Sequence, residues 1–408
     1  MTPVVLQWAV THAWERPVAN GSMRRLGAAL LAVAGAVLLI GVAHAALFAG
    51  QPTDFPSFYA AGRAVAHGSA PYPAVASLPA VADRHTFAPF VYPPPVAFLF
   101  APLTLLPLLV AKVVFFLVSV AAVGLGLRLL DVRDVACYAA AFASLPVLEA
   151  CGIGSVSALL FLGVAAAWRY RDRTAVVALA VAGVVVAKLF LWPLWLWLVY
   201  TRRYAAAALA AAAGVLAACA AWAAIGFGGL REYPHLLARL TELTGVNSFS
   251  FYALERAFGL PSVGAQLGVA AAGCLLAGLA VWAFGKQRAD VASFIAAVGL
   301  ALLFTPILWP HYLVLLLAPI AIVRPRMSAL WLVPLLFWFG GVWSFSDPVR
   351  IVPTLFVAIG VGFAALRLAR EPRVVQRGDC RDASHPAQGS PASRPSLNGV
   401  PRMAENSS

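Results

Sequence analysis

The stretch TDFPSFYAAGRAVAHGSAPY, residues 53–72, sets an acid (Asp54), a base (Arg63), a histidine (His67) and two tyrosines (Tyr59, Tyr72) into a chain made otherwise largely of Ala, Val and Leu. Asp54 stands just ahead of Phe55-Pro56. From there a carboxylate either caps the free N–H groups of a helix or takes a proton from a bound hydroxyl. Tyr59, Arg63 and His67 are four apart, so on a helix they share a stripe beside the apolar positions Phe55, Phe58, Gly62, Val65 and Ala66. Gly68 and Pro71 predict where that helix stops. The pattern predicts an amphipathic helix lying along a membrane surface.

Other polar residues break apolar surroundings further on. Glu149 opens EACGIGSVSALLF, Lys188 interrupts AKLFLWP, Asn247 and Arg256 lie in NSFSFYALERAFG, and His311 lies in LFTPILWPHYLV. Each has a plain reading: a snorkelling lysine, an exposed Glu255–Arg256 pair, a histidine satisfied by one hydrogen bond. Each also has a sharper one. Ionisable groups at membrane depth are costly, so they tend to face a protein cavity and mark a site.

The elements that must hold these groups follow from composition. The chain is 62% hydrophobic and 11% charged, outside the range of soluble domains. Continuous rather than alternating apolar runs exclude a β-barrel and predict an all-α polytopic membrane protein. A formal charge of +13 invites a nucleic-acid partner, but Arg24, Arg25, Arg128, Arg133, Arg171, Arg202, Arg203, Arg324 and Arg326 sit in short gaps between apolar runs. That is the mark of cytoplasmic loops, so no nucleic-acid partner is expected. Arg24-Arg25 ahead of a long run reads as an uncleaved first span rather than a signal peptide. The five cysteines have no CxxC spacing and read as small buried hydrophobes. No Walker A loop, HExxH or GxSxG is present, which argues against ATP hydrolysis by this chain.

Taking roughly 20 apolar residues per crossing with tolerance for tilt, the spans fall at 26–48, 109–130, 134–150, 155–169, 174–187, 189–200, 204–225, 263–284, 291–308, 311–323, 327–344 and 350–369, about twelve in all. With the N-terminus (1–25) inside, alternation puts every Arg/Lys cluster inside. It puts Asp54, Arg63, His67, Asp83, Arg84, His85, Glu149, Lys188, Asn247, Arg256, His311, Asp347 and Arg350 at or near the outer face. Residues 50–108 and 226–262 become long outer loops. The tail, 370–408, is Ser/Pro/Arg-rich and is expected to be disordered and cytoplasmic. Pro93, Pro94, Pro95, Pro102 and Pro107 forbid one straight span in FVYPPPVAFLFAPLTLLP and predict a short helix at the outer interface. Trp168, Tyr200, Trp222, Trp309 and Tyr312 fit an aromatic belt.

An acid after the first span followed by FYAAGRAVAHGSAPY and FVYPPPVAFLFAPL, then GIGSVSALLFLGVAAAW, VVAKLFLWPLWLWLVYTRRY, NSFSFYALERAFG and LFTPILWPHYLVLLLAPI in that order, resembles the bacterial polyprenol-phosphate-mannose-dependent mannosyltransferases of glycosyltransferase family 87, within the GT-C superfamily. The resemblance covers roughly residues 50–325. It implies a GT-C-like bundle of about twelve transmembrane helices with outer-face amphipathic helices in the first long loop. It also implies transfer of a hexose, mannose in the family, from a polyprenyl-phosphate sugar donor to a glycolipid or glycan acceptor. The reaction would occur among membrane lipids on the outer side of the bacterial cytoplasmic membrane. On this reading Asp54 is the base and His311 joins it as a catalytic residue. Arg63, Lys188 and Arg256 hold the donor phosphate, while His67, Tyr59, Tyr92, Asn247 and Glu149 bind substrate. A lipid phosphate leaving group demands no metal or other cofactor, and the residues offer no metal-ligand set. The family commonly carries a GQ-N type turn where this chain has Gly152-Ile153-Gly154-Ser155-Val156-Ser157, which leaves the sugar open. Two other readings stay in view. A transporter or lipid-linked sugar flippase needs ionisable groups through the whole membrane depth; a non-catalytic assembly protein would tolerate loss of Asp54.

Overall fold

The computed structural model describes residues 21–48, 54–78, 89–283, 289–340 and 348–370. Asp83, Arg84, His85, Asp347 and the tail after 370 lie outside them, as do residues 1–20. Among the described residues the regular structure is helical throughout. Helices α1 (Gly21–Phe48), α4 (Leu108–Leu129), α10 (Tyr204–Ala224) and α16 (Pro348–Arg370) each hold a stretch long and apolar enough to cross a membrane. The expected span at 134–150 is two helices, α5 (Val135–Phe142) and α6 (Leu145–Gly152), bent by 66°. Counted together they make a fifth crossing. The remaining expected spans fall on shorter apolar stretches, so the chain is a multi-pass membrane protein; among the described residues, length and composition support four or five of the twelve expected crossings. Among them are α7 (Ser157–Arg169), α8 (Thr174–Ala187), α9 (Pro193–Tyr200), α14 (Ala289–Phe304) and α15 (Leu317–Val323), with the stretch Ser262–Leu275 of α13 (Ser262–Ala283).

The breaks have identifiable causes. Pro146 in the first turn of α6 cannot donate to a preceding turn, and the bend leaves backbone carbonyls without helical partners. Trp338 Nε1 donates to one of them, Ala143 O, at 3.0 Å, as an apolar surrounding requires. Lys188 ends α8 in an extended conformation (φ −145°, ψ 105°). A single 3-10 turn and Pro193 follow before α9 begins. Pro310 opens another 3-10 turn, Pro310–Leu316, ahead of α15, and this turn packs on α6. Helix ends are thereby brought within the protein, where side chains at the breaks meet.

The first loop folds onto this framework. Helix α2 (Phe55–Ala66) ends before Gly68 (φ +70°), as the sequence predicts. Its apolar face meets protein rather than a lipid surface. Phe55 and Phe58 pack on Phe90, Tyr92, Phe100 and Phe115, with the Phe58 and Phe100 rings stacked at 4.6 Å. Gly62 lets α2 approach the 100–101 backbone, which a Cβ would meet at 2.8 Å. The proline-rich segment supplies α3 (Pro94–Phe100), which continues as a 3-10 turn to Leu105. The start of α2 is pinned by two backbone bonds to the turn after α6: Asp54 N and Phe55 N donate to Ile153 O at 2.8 and 3.3 Å. Gly154 in that turn has φ +68°, and a Cβ there would lie 2.7 Å from Phe55 Cβ. The small turn that departs from the family pattern is thus the seat of α2.

At the other end of α8, roughly 20 Å along its axis, the loops expected to be cytoplasmic also converge. Arg203 binds Asp290 through two nitrogens at 2.7 and 2.9 Å. Arg171 Nε lies 3.3 Å from Asp290, and Trp197 Nε1 donates to Asp290 at 3.2 Å. Asp134 caps α5 through Ala136 N and accepts Met327 N at 2.9 Å from a second such loop. The cysteines are mixed: Cys137 and Cys151 are buried as expected, whereas Cys219 and Cys274 are exposed on the apolar helices α10 and α13.

Replacing Gly154 with Ala is expected to destabilise the protein by about 1–2 kcal/mol from the left-handed backbone alone, and further through the clash with Phe55. Gly183→Ala in α8, where a Cβ meets nothing within 4 Å, should be neutral or gain up to about 1 kcal/mol. Thermal unfolding of both variants in detergent checks the contrast.

Candidate active site

Lys188 is the centre of the cluster. Its partly buried ammonium donates to the Tyr312 hydroxyl at 2.6 Å. It also lies 3.9 Å from the centroid of the Tyr92 ring and 4.8 Å from that of Tyr312. Two aromatic faces and one hydroxyl replace water around the charge. The break at Lys188 makes this possible, because an extended residue between two helices can project a side chain along the bundle rather than across it.

Asp54 stands opposite. Its side chain makes no capping bond to α2, so the plain capping reading is not realised. Its carbonyl accepts the Ser57 N–H and hydroxyl instead, at 3.1 and 2.7 Å. Part of the residue remains accessible, yet protein surrounds the carboxyl. Burial holds its pKa up at about 6, and the nearby positive charge of Lys188 offsets part of that rise. The group still ionises at neutral pH, and its basicity exceeds that of an exposed aspartate.

Two more groups complete the cluster. Glu149, on α6, lies close enough to Asp54 for the two carboxylates to sense one another. His311, in the Pro310–Leu316 turn that packs on α6, is 4% exposed and meets Tyr312 edge-on at 4.5 Å. Its Nε2 is buried with no partner among the described residues, a position that calls for an explanation. The cluster thus holds a carboxylate of raised basicity, a fixed cation, a second acid and an imidazole nitrogen open to a further hydrogen bond. That set suits deprotonating a hydroxyl while charge builds on a departing anion.

Five of the sequence candidates therefore come together: Asp54, Tyr92, Glu149, Lys188 and His311. The others stand apart. Arg63 and His67 are exposed, and His67 Nδ1 lies 2.8 Å from Arg63 O. Arg63 is nine residues along α2 from Asp54, roughly 13 Å. Tyr59 donates its hydroxyl to Leu106 O at 2.8 Å and fastens α2 to the proline-rich segment. Arg256 donates to Leu260 O and closes the end of α12 (Phe251–Ala257), a helix capped at its start by Ser250. Asn247 lies in the short turn preceding α12.

Sequence reasoning missed Tyr312, placing it in a lipid-facing belt; the residue is 4% exposed and is the hydrogen-bond partner of Lys188. Its neighbour His311, beside a proline that ends a span, was the available signal. Trp222, also assigned to the belt, is buried too.

The model of glycosyltransferase family 87 matches residues 90–306, more than half of the 408-residue chain. No curated protein and no solved structure gives a significant match. The matched span holds Tyr92, Glu149 and Lys188 of the cluster and leaves Asp54, His311 and Tyr312 outside. A multi-pass membrane chain with a carboxylate–lysine site and this match over most of its central helices belongs to glycosyltransferase family 87 and is a membrane glycosyltransferase.

Proposed function

We propose that the protein transfers a hexose, mannose by its family resemblance, from a polyprenyl-phosphate donor to a glycolipid or glycan hydroxyl on the outer face of the bacterial cytoplasmic membrane. The observation that carries this reading is the enclosed Lys188 ammonium, held by the Tyr312 hydroxyl and the Tyr92 ring, with the Asp54 carboxyl near enough to feel its charge. Asp54 accepts the proton of the acceptor hydroxyl as its oxygen attacks the anomeric carbon. The bond from that carbon to the phosphate oxygen breaks, and the lipid phosphate leaves with one more negative charge than it carried in the donor. Lys188 faces that charge. Its position, set by Tyr312 and Tyr92, needs no reorganisation as the charge develops. His311 Nε2 hydrogen-bonds the same phosphate, and Glu149 takes sugar hydroxyls. Arg63, His67, Tyr59, Asn247 and Arg256 lie outside this core; any part they take is in guiding substrate toward it.

The distribution of charge favours an enzyme over a transporter. Helix α8, which joins the Lys188 cluster to the Arg203–Asp290 network, carries no ionisable residue from Thr174 to Ala187. The two charged zones are separate, whereas an ion or substrate path would connect them.

Asp54→Asn should lower transfer about 10²–10⁴-fold. A base must be ionised, so the wild-type kcat/KM should rise with pH through about 6 and level off above it, losing tenfold per pH unit well below. The Asn variant should lack that limb. Assays with purified protein, polyprenyl-phosphate mannose and glycolipid acceptors test both. Equal transfer by the two proteins refutes the base assignment, and no transfer by wild type from any polyprenyl-phosphate sugar refutes the donor class.

For Lys188, exchange to Met keeps length and removes charge, and should cost more than 100-fold in kcat/KM, on the order of the 3 kcal/mol attached to a hydrogen-bonded charge. Tyr312→Phe leaves the ring beside the ammonium and removes one charged hydrogen bond, which predicts a loss of about tenfold. Steady-state kinetics on the two variants should reproduce that order.

A further inference from the structure

Outside the cluster, three aromatic rings from three elements pack together. Tyr72 comes from the loop after α2, Trp222 from the last turn of α10 and Tyr233 from the first turn of α11 (Tyr233–Thr244). Tyr72 stacks on Trp222 at 5.5 Å and 26°, Trp222 meets Tyr233 edge-on at 5.7 Å, and the two tyrosines are 5.2 Å apart. Gly229 (φ +77°) closes over Tyr72, whose ring a Cβ there would meet at 3.2 Å. Apolar packing accounts for the rings. It does not account for their hydroxyls.

Both hydroxyls point at one strand of irregular backbone. Tyr72 Oη donates to Tyr92 O at 2.9 Å and Tyr233 Oη donates to Val91 O at 3.0 Å. These carbonyls precede Pro93, Pro94 and Pro95, which have no N–H and cannot anchor the segment through their own backbone. Neither carbonyl belongs to a helix, so each needs a donor from elsewhere in an enclosed place. The segment so held carries the Tyr92 ring, 3.9 Å from the Lys188 ammonium and 4.8 Å from Phe58.

We propose that Tyr72 and Tyr233 are positioning residues: through the carbonyls of residues 91 and 92 they fix the Tyr92 ring against Lys188, and so fix where the ammonium stands in the site. The consequence for turnover rests on the reading above, in which Lys188 faces the donor phosphate. The positional claim does not. Phe58 and Phe90 pack on the Tyr92 ring at 4.8 and 5.8 Å, but the side-chain bonds to the carbonyls of residues 91 and 92 come from Tyr233 and Tyr72, so losing them loosens the 91–92 backbone beside Lys188.

The test uses the full-length protein in detergent and trinitrobenzenesulfonate as the amine probe. The chain has three lysines, Lys112, Lys188 and Lys286, so labelling of Lys188 can be read by mass spectrometry against Lys112. In Tyr72→Phe/Tyr233→Phe, which keeps every ring, Lys188 labelling should rise about fivefold or more while Lys112 is unchanged. Tyr92→Ala should give a similar rise, and adding the two Phe substitutions to it should add nothing, since coupled residues are non-additive. Unchanged Lys188 labelling in the double variant overturns the proposal, as does an additive effect in the Tyr92→Ala background. If the double variant shows no cooperative thermal transition, Tyr233→Phe alone is labelled, with a rise of about twofold expected and none overturning the proposal. With polyprenyl-phosphate mannose, the double variant should raise donor KM more than it lowers kcat. A wild type inactive with that donor refutes the donor reading, and the labelling still decides the positioning.

Discussion

An ammonium removed from water must be recompensed with partners, and Lys188 imposes that condition on the whole upper part of the bundle. Its partners come from distant points of the chain: the Tyr312 hydroxyl from the turn before α15, the Tyr92 face from the first long loop and the opposing Asp54 from the start of α2. A charge with incomplete partners in a poorly hydrated place is costly. Every element that delivers a partner is therefore constrained in turn. The break between α8 and α9, the 3-10 turn at Pro310 and the seat of α2 on the Ile153–Gly154 turn are consequences of one demand. The same enclosure raises the basicity of Asp54, so one arrangement both houses the cation and tunes the base.

The proline-rich segment from residue 90 to residue 107 shows how irregular backbone is tolerated at such a place. Its prolines interrupt the helical ladder on either side of α3, and there tyrosines from three elements supply donors: Tyr72 to Tyr92 O, Tyr233 to Val91 O and Tyr59 to Leu106 O. Each phenol contributes an apolar ring to the packing and a single directional bond at its tip. Non-helical chain within an apolar surrounding persists only where the protein itself satisfies it. Here that satisfaction also aims a ring.

The charges of this protein thus divide into two zones with different work. At the Arg203–Asp290 end, ion pairs and indole donors tie together loops that follow separate helices. Those groups satisfy one another. At the Lys188 end the set is incomplete, with a His311 nitrogen unpartnered among the described residues and an Asp54 side chain that makes no cap. Satisfied groups hold a fold, and groups short of a partner are where a substrate gains purchase.

Much of this was legible in the residues alone. Hydrophobic runs and interleaved arginines give the class of protein, because the cost of unpaired polar groups in lipid acts on each segment locally. Gly68 marks a helix end by a local rule as well, and Asp54, Lys188 and His311 stand out because isolated ionisable residues in apolar sequence are rarely idle. What local rules cannot show is which of several such residues share a cavity. Arg63 and Asp54 are near neighbours in the chain yet lie roughly 13 Å apart along α2, whereas Lys188 and Tyr312 are 124 positions apart and in contact at 2.6 Å. Run length does not fix the number of crossings for a related reason: short apolar runs look alike whether they cross, bend or stop, and only packing distinguishes them, as in the 66° bend at α5–α6. Tyr312 has the composition of a belt residue and the surroundings of a site residue. Its role depends on long-range neighbours, which pattern and spacing do not encode.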